Sequence, residues 1–546
     1  MYKNIVSLVI AFTMCVSVSL CAGVSIGSLN MRNDANVTFN GGYVLNDFGI
    51  SNSAEVTVTQ DGAYVIAKYR NGTFDSGVYG IDDTRVLQSA ADGVTGRIVV
   101  GSGLFTISGH PLNVTGGDWL DGQGNSTIFK AADDLDMWVI GNKNVVDNVQ
   151  IDNNVTLSNF VVDGDGANQT ASLSFGVYFR NMDNVNIYGL NIYNTYSYSI
   201  CMTQVGFGSG DDNGITNSSI HNNIFRRNVA SYPLYDCVVI TAKDTKFYNN
   251  YVENQHGAGF TTSKLYRCDL FNNIIRSTDI AVAFESWSNS SFTNVYHNII
   301  DPLSSGVTSF TLDPVGMPGG WPAQVHDINI HHNTCLGNGG YALFVYTRSD
   351  AKNNPVYNIN FNDNEMNCGV YQSVYLGYRM HNSTIARNKF YHTGDQPSIR
   401  LDGNSDINIE DNTVLGGGFG VRWMNATSYR ISMTGNKIKN SYYTGIGGDQ
   451  NCLVDSTISQ NFITNPGVGN VQYYRDGILL YRAQNCTVSF NVMLDNRASP
   501  TMESAIRIAS SEYNVIMGNT QRGATGVTFR EDGPVIPSLF VDNYDV

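Results

Sequence analysis

The sequence has little charge and, over most of its length, no helical period. Charged residues make up 14% of the 546 positions, and the net charge at neutral pH is −15. Proteins that bind nucleic acid carry basic patches, so this balance argues against a nucleic-acid partner. It leaves an anionic polysaccharide open, because a local basic groove can lie on an acidic body. Between residues 159 and 519, apolar residues nowhere follow the 3.6-residue period of an amphipathic helix.

Long apolar runs are equally scarce, since the only one of near-membrane length follows Lys3. A basic start, an apolar core and a small-residue exit predict a secretory signal over residues 1–22. The alternative is a single membrane anchor. With the signal removed, no span remains, and we expect a secreted or cell-surface protein. None of the nine cysteines forms a CxxC pair, which argues against a zinc site.

One short phrase built around an asparagine recurs through the chain at intervals of 23 to 35 residues. A regular interval of this size predicts a repeat architecture. The phrase reads, for example, HNNIF, FNNII, EDNTV and SFNVM. Its asparagines are Asn159, Asn191, Asn223, Asn250, Asn273, Asn298, Asn333, Asn364, Asn388, Asn412, Asn436, Asn461, Asn491 and Asn519.

A second phrase alternates small or polar and apolar residues, as in GVYF, SFTL, SVYL and GILL. Alternation with period two predicts short strands with one buried face. Two or three strands in each repeat predict an all-β fold, a right-handed parallel β-helix whose coils lie about 4.8 Å apart. The recurring asparagine would then stack on itself, and its amide would bridge to the next coil. Cys201 and Cys237 fall in corresponding strands, as stacked buried thiols or as a disulfide.

The chain therefore divides into a signal (1–22), an N-terminal β extension (23–75), the β-helix (76–530) and a C-terminal tail (531–546). Near the start of the β-helix, YGIDDTRVLQSA offers Asp82 or Asp83 as the N-cap of one short amphipathic helix. Its apolar side would carry Val86, Leu87 and Ala90. Such a helix covers the open apolar end of a β-helix.

This helix, the GSGLFTISG loop and WLDGQGNSTIF together resemble the start of the pectate-lyase-like superfamily domain. Rhamnogalacturonases, mannuronan epimerases and phage tailspikes share that domain. Its usual GDGxTDD lead-in is shortened here to GIDD. The resemblance implies the β-helix and a polysaccharide ligand, but the superfamily includes lyases, hydrolases, epimerases and proteins that only bind.

Aligned strands place Glu285 and Asp313 on adjacent coils, just after the last apolar residue of each strand. Two carboxylates side by side on a solvent face can serve as acid and base in glycoside hydrolysis. The same pair can hold Ca²⁺ that bridges to a uronate, or can be two solvated turn residues. Lys264, one coil earlier, and His256 complete the predicted catalytic group.

The predicted substrate-binding residues are aromatic or basic: Trp287, Tyr346, Arg348, Arg400 and Arg422. The two aromatic rings offer faces for sugars. Arg400 and Arg422 fall on adjacent coils, where they would bind a carboxylated sugar or, alternatively, form a salt bridge to Asp402. The long segment PVGMPGGWPAQ after Asp313 is where a rigid solenoid would carry function.

The resemblance to the superfamily extends to partial catalytic phrases. Uronate lyases use a lysine or arginine base with a cation, which would give that role to Lys264. Asp313-Pro314 is followed by Val315 instead of the histidine of epimerases. GSGDDNG and His256-Gly257 are similar to polygalacturonase phrases, but their spacing is about two coils and an Arg-Ile-Lys phrase is missing.

Two hypotheses follow. The first is a secreted enzyme that cleaves a polysaccharide, as a lyase or a glycoside hydrolase. The second is a non-catalytic, tail-fibre-like protein that binds polysaccharide. Six N-x-S/T sequons begin the same strand of the coil, so we interpret them as a product of the repeat and not as evidence of glycosylation.

Overall fold

The computed structural model describes most of the chain after the predicted signal: residues 54–143, 152–202, 214–227, 236–255, 257–285, 289–314, 323–337, 339–346, 354–377, 379–448, 452–469, 474–532 and 538–545. Within these ranges, no helix is long and apolar enough to cross a membrane. The described residues form two compact units. The first contains those up to 202, together with 214–227 and 249–251, and the second contains 236–248 and those from 252 onward.

The first unit is built of short strands and one α-helix. Two 3₁₀ turns, Gly124–Ser126 and Gly166–Asn168, interrupt it. Its strands are β1 (Ala54–Asp61), β2 (Tyr64–Tyr69), β3 (Phe74–Val78), β4 (Arg97–Val100), β5 (Gly103–Ile107), β6 (Leu112–Val114), β7 (Trp119–Asp121), β8 (Thr127–Ala131), β9 (Ile140–Asn142), β10 (Asp152–Asn153), β11 (Thr156–Ser158), β12 (Val161–Asp163), β13 (Val177–Tyr178), β14 (Met182–Asp183), β15 (Asn186–Tyr188), β16 (Asn191–Tyr193), β17 (Ile200–Met202), β18 (Ile215–Thr216), β19 (Ser219–His221) and β20 (Ile224–Arg227).

The first described strands, β1 to β3, form an antiparallel meander. Strand β1 also pairs in parallel with β4, so stacked pairing already involves the segment that the sequence set apart as an N-terminal extension. Strands β4, β7 and β11 then pair in parallel, one per coil.

The helix α1 (Asp83–Gly93) packs against β2, β3, β5 and β6. Val86, Leu87 and Ala90 are buried, which confirms the predicted apolar side. Asp82 is the N-cap by position, but its side chain makes no cap hydrogen bond. Its carboxylate instead accepts the N–H of Val78 at 2.7 Å, because the meander turns back towards the helix start.

The second unit consists of three rows of strands, and within each row the strands of successive coils pair in parallel. The first row contains β21 (Val238–Lys243), β24 (Phe260–Tyr266), β27 (Ile280–Glu285), β30 (Thr308–Asp313), β33 (Leu343–Val345), β36 (Val374–Leu376), β39 (Ile399–Leu401), β42 (Val421–Trp423), β45 (Ile446–Gly448), β49 (Asp476–Tyr481), β53 (Ser504–Ala509) and β56 (Phe529–Asp532).

The second row contains β22 (Lys246–Tyr248), β25 (Asp269–Phe271), β28 (Ser290–Tyr296), β31 (Val325–His331), β34 (Val356–Asn362), β37 (His381–Ala386), β40 (Ser405–Glu410), β43 (Ser428–Thr434), β46 (Leu453–Val454), β47 (Thr457–Ser459), β50 (Ala483–Gln484), β51 (Thr487–Ser489), β54 (Val515–Met517) and β57 (Leu539–Val541).

The third row contains β23 (Tyr251–Asn254), β26 (Ile274–Ser277), β29 (Ile299–Ile300), β32 (Thr334–Cys335), β35 (Glu365–Gly369), β38 (Lys389–His392), β41 (Thr413–Gly416), β44 (Lys437–Lys439), β48 (Phe462–Thr464), β52 (Val492–Leu494), β55 (Thr520–Arg522) and β58 (Tyr544–Asp545). The arrangement is a parallel β-helix, as predicted. Pairing continues to Asp545, beyond residue 530, where the sequence suggested a tail.

An asparagine ladder joins the coils of the second unit at the turn between the second and third rows. Asn388 is typical: its amide nitrogen donates to Phe361 O at 2.7 Å and to Asn412 Oδ1 at 3.0 Å. Its own Oδ1 accepts from the backbone and side-chain nitrogens of Asn364. The predicted bridging is confirmed. The ladder is formed by Asn273, Asn298, Asn333, Asn364, Asn388, Asn412, Asn436, Asn461, Asn491, Asn519 and Asn543.

In the first unit the ladder is present only between Asn223 and Asn250, and the prediction for Asn159 and Asn191 is wrong. The ladder position one coil before Asn223 is held by Leu190, whose N–H donates to Asn223 Oδ1 at 3.0 Å. Asn159 instead adopts a left-handed φ of 59° one residue before Phe160. Leu190 and Phe160 are fully buried, so apolar packing fills the ladder position itself. The side-chain amide of Asn159 still donates to Asp121 Oδ1 of the preceding coil at 3.0 Å.

Asparagines at a second turn explain the sequons. Five of the six predicted positions have a φ between 49° and 61°, a conformation that asparagine tolerates better than most residues. They are Asn154, Asn217, Asn382, Asn425 and Asn485. The backbone of the repeat therefore accounts for the asparagine of these five motifs. The seven described cysteines are free, so Cys201 and Cys237 form no disulfide.

Candidate functional site

Glu285 and Asp313 lie directly opposite each other at the ends of β27 and β30, as the sequence predicted. The residues before them, Phe284 and Leu312, are fully buried in the core. Because side chains alternate along a strand, the two carboxylates point to the outer face of the first row. Adjacent coils are about 4.8 Å apart, so the two side chains are neighbours.

The prediction that both carboxylates are solvated is wrong for Asp313, which is only 6% exposed. Thr311, two residues earlier on the same face, is equally buried. This stretch of the outer face is therefore covered. Glu285 remains partly exposed.

A third carboxyl, Asp236, was missed by the sequence interpretation. Burial, together with the negative charge of Glu285, raises its pKa to about 7. The Thr261 hydroxyl and the Ala258 N–H act in the opposite direction, and the charge of Asp279 adds a smaller increase. At neutral pH, Asp236 is therefore protonated in a large fraction of molecules, and the charge of Glu285, two coils further along, contributes to this.

Asp236 could have been found from its position in the repeat, which lies before the aligned part of the strands. Asp236 lies two residues before Val238, which is in register with Phe260 and Val282 of the next two coils. The corresponding residues of those coils are Ala258 and Ile280. An aspartate in place of an apolar residue at this position would have indicated a functional carboxyl.

Lys264 lies on β24, the strand beside β27, at nearly the same position as Glu285, as the sequence predicted. Thr262 pairs with Phe284, so Ser263 is at the level of Glu285 and Lys264 lies one residue further along. A shift between Ile240 and Thr241 pairs Lys264 with Thr241 on the preceding coil. Lys264 is partly exposed.

Several predicted residues lie outside the described residues: His256, Trp287, Arg348, Asp211 and Asp212, with most of the segment after Pro314. Their predicted roles stay predictions.

An aromatic platform continues the outer face beyond Asp313. Tyr346 lies on the next coil, where its N–H donates to Leu312 O at 3.0 Å, and it is 40% exposed. Its ring stacks on Phe344, which stacks on Tyr375 of the following coil with centroids 5.1 Å apart. Tyr341 lies 4.6 Å from Phe344. We call these four residues the aromatic platform; only Tyr346 was predicted.

Two arginines follow the aromatic platform on the next two coils. Arg400 pairs in register with Arg422 and lies over the ring of Tyr375 at 4.8 Å. It donates to Asp402 Oδ2 at 2.7 Å, the salt bridge that the sequence left as an alternative. Arg422 lies over the ring of Phe419 at 4.6 Å. Each guanidinium is therefore held flat against an aromatic face.

The predicted calcium site is not recognisable as a cluster of ligands. Among the residues that the structure describes, no group of three or more His, Cys, Asp or Glu side chains is arranged to hold a metal ion. Ca²⁺ takes six to eight oxygen ligands, so Glu285 and Asp313 would need water or substrate oxygens in addition.

Comparison with known proteins identifies the fold. Residues 397–543 match a family model described as the right-handed β-helix region. The tailspike protein of Escherichia coli bacteriophage HK620, solved with a pentasaccharide, is 14% identical, with a TM-score of 0.53, and the match covers 79% of this chain and 75% of that one. A tailspike variant with a hexasaccharide gives 13% identity, coverage of 77% and 73%, and a TM-score of 0.50.

A third structure, the A-module of the Azotobacter vinelandii mannuronan C-5 epimerase AlgE6, is 13% identical over 85% of this chain and 95% of that one. Its TM-score of 0.28 is too low to support an argument. No curated protein matches the chain. At such identities the likeness extends to architecture alone, and on that ground the fold is a right-handed parallel β-helix.

Proposed function

We propose that this protein binds a polysaccharide along the outer face of the first row and hydrolyses a glycosidic bond beside Asp236, Glu285 and Asp313. The observation that carries the proposal is the pKa of Asp236, which burial and the negative charge of Glu285 raise to about 7. Glycoside hydrolysis needs one protonated and one ionised carboxyl at the same pH. Asp236 and Glu285 supply that combination near neutrality.

In this proposal Asp236 is the general acid, and it gives its proton to the oxygen of the leaving sugar. Glu285, which is partly exposed, is either the base that activates water or the nucleophile itself. The separation of the two carboxyl groups in the substrate complex decides between inversion and retention. Asp313, opposite Glu285, adds the negative charge that stabilises a cationic sugar at the transition state.

The aromatic platform supports a chain-like ligand. Tyr346, Phe344 and Tyr375 present ring faces on two successive coils next to the coil of Asp313. Coils repeat about every 4.8 Å, close to the length of a sugar unit, so one chain can run across several coils. The tailspike structures with bound oligosaccharides share this fold and support the same class of ligand. The predicted signal segment supports action outside the cell.

Binding without cleavage is the second candidate. It is favoured by the low exposure of Asp313, at 6%, because a buried carboxylate is harder for a substrate to reach. The aromatic platform and the two arginines would serve a purely binding protein equally well. Elimination with Lys264 as base and Ca²⁺ as the charge-neutralising ion remains a prediction that the same experiment tests.

The experiment incubates the mature chain with a panel of polyuronates and neutral glycans, with and without a calcium chelator. We expect new reducing ends without the ultraviolet absorbance of an unsaturated uronate. Glu285→Gln and Asp313→Asn should each remove most of this activity. Asp406→Asn is the control, because Asp406 forms an exposed ion pair with Arg430 on the second row.

Full activity in both carboxylate variants would refute the proposed site. Absorbance that depends on calcium would replace hydrolysis by elimination and make Lys264 the base to test. Saturable glycan binding with neither product would establish the binding protein instead.

A further inference from the structure

A histidine cluster lies at the turn between the second and third rows, away from the carboxylates. His331 is the last residue of β31, and His332 follows it with a φ of 54°. His297 has the same φ at the corresponding turn one coil earlier. The left-handed conformation turns the chain sharply, and it brings the neighbouring rings of His331 and His332 to the same side.

The two rings of this pair meet through their Nδ1 atoms, which are 2.9 Å apart. The ring of His297 is 5.2 Å from that of His332 and 6.5 Å from that of His331, between centroids. His331 is held in place because it ends a stack of parallel rings. Its ring lies 5.2 Å from Tyr296 with an interplanar angle of 3°, and Tyr296 stacks in turn on Phe271.

The packing fixes the orientation of His331, because its ring lies parallel to that of Tyr296. Imidazole nitrogens are the commonest metal ligands among protein side chains. A stacked and oriented ring beside a second imidazole is an arrangement that packing alone does not require.

We propose that His331 and His332 chelate a divalent transition-metal ion, with Cu²⁺ and Ni²⁺ preferred over Zn²⁺. Two nitrogens bound at about 2.0–2.1 Å and at a right angle lie about 2.9 Å apart, whereas a tetrahedral ion needs about 3.4 Å. The observed separation fits the right angle of square-planar or tetragonal coordination. Cu²⁺ also binds nitrogen sites most strongly among the first-row ions.

Binding of the metal ion changes only which ring nitrogens of His331 and His332 carry protons. Before binding, one Nδ1–H points to the lone pair of the other Nδ1. For both Nδ1 atoms to bind the ion, that proton moves to the Nε2 of the same ring, so two neutral imidazoles become two ligands without net release of a proton. Water takes the remaining positions, with His297 the nearest further imidazole.

The test is titration of the tag-free mature protein with CuCl₂ in a non-chelating buffer, followed by calorimetry and electron paramagnetic resonance. We expect one saturable site with hyperfine coupling to nitrogen. Mutation of a residue that only hydrogen-bonds to a metal ligand lowers the affinity for the metal about 10–100-fold. Loss of a ligand itself, in His331→Ala or His332→Ala, should therefore weaken binding at least about tenfold. Repetition with NiCl₂ avoids reduction of the ion by thiols.

His381→Ala is the matched control. His381 ends a similar stack, on Tyr357 at 5.3 Å, but its Nδ1 lies near the backbone oxygen of Arg379 and not near a second imidazole. Binding should persist in this variant. Equal binding by the wild type, His331→Ala and His332→Ala, or no nitrogen coupling in the wild type, would overturn the proposal. A melting curve of each variant shows that the fold is retained.

Discussion

Asp236 and Asp476 occupy the same position in two distant coils of the second unit. Asp236 lies two residues before Val238, and Asp476 lies two residues before Ile478. Val238 and Ile478 belong to the same column of first-row residues that pair in register from coil to coil. Burial is the main reason that the pKa of each is raised to about 7. Their surroundings differ, because the negative charge of Glu285 raises the pKa of Asp236, whereas Asp476 lies 4.0 Å from Arg507.

The comparison separates two effects on the pKa of an aspartate: that of the coil position, which Asp236 and Asp476 share, and that of the neighbouring charges, which differ. The coil position alone removes a carboxyl from water and raises its pKa. Beside Asp236 the neighbours are further acids, so its proton can serve an acid–base pair. Around Asp476, the positive charge of Arg507 opposes the increase in pKa more than the negative charge of Glu503 adds to it. Arg507 and Arg530 also share Asp532 in ion pairs of 2.6 and 2.8 Å. We therefore expect chemistry at the first carboxyl and a structural role at the second.

The largest expected effect is the loss of hydrolysis in Asp236→Asn. Asparagine keeps the size of the side chain but cannot give a proton, and general acid catalysis is worth about 10²–10⁴-fold in rate. Reducing-end assays at neutral pH measure the loss. Asp476→Asn is the control and should retain wild-type activity. A similar loss in both variants would show that the shared coil position matters for folding and not for catalysis.

The second expected effect is a decrease in stability with rising pH. The folded protein retains protons on Asp236 and Asp476 that the unfolded chain releases above the ordinary aspartate pKa of 3.8. The free energy of unfolding should therefore fall between about pH 4 and pH 7 and then level off. Calorimetric melting temperatures across this range measure the slope. Each single Asn variant should flatten it, and the double variant more so; an unchanged slope would contradict the raised pKa values.

A smaller effect is expected for Arg507→Gln. Its positive charge lowers the pKa of Asp476, so removing it should raise that pKa above about 7. The pH at which stability stops falling should move upward accordingly. Arg400→Gln removes a guanidinium that is also paired with an aspartate, on a different coil, and should leave the profile unchanged. A shift of equal size in both variants would mean that net charge, and not the local pair, controls the profile.

The smallest effect is expected for Thr261→Val. The Thr261 hydroxyl lowers the pKa of Asp236, so its replacement should raise that pKa. Because Asp236 acts while protonated, the alkaline limit of activity should move to higher pH while the maximal rate stays close to that of the wild type. The pH profile of kcat measures this, with Thr241→Val on the neighbouring strand as control. A shift to lower pH would exclude Asp236 as the acid.

The fold was predictable because its two signals are local. Period-two alternation gives the strands, and the asparagine phrase gives the interval between coils. The error at Asn159 arose because asparagine serves two positions of one turn, the ladder position and the left-handed residue before it. Asn191 instead follows the ladder position, which Leu190 holds, and begins β16. The two positions are one residue apart. At the first the backbone needs a left-handed φ, and at the second a buried side-chain amide bridges the coils. The phrase alone does not distinguish them.

The pairing of Glu285 with Asp313 was predictable, since register follows from counting along aligned strands. The burial of Asp313 was not, because the alternation of residues indicates on which face a side chain lies and not what packs over that face. Asp236 was missed because the alignment started at the apolar residues and extended only forward. Phe344 and Tyr375 were missed because an aromatic residue on a strand is more often core than surface.

The asparagine ladder makes the stacking of coils independent of their length. Asn298 and Asn333 are 35 residues apart and Asn364 and Asn388 only 24, yet both pairs are joined by the same amide bond of 3.0 Å. Eleven extra residues thus change the surface of a coil and not its height. Lengthening a loop costs little free energy. An insertion in one coil can therefore change the surface of that coil while the register between coils stays the same.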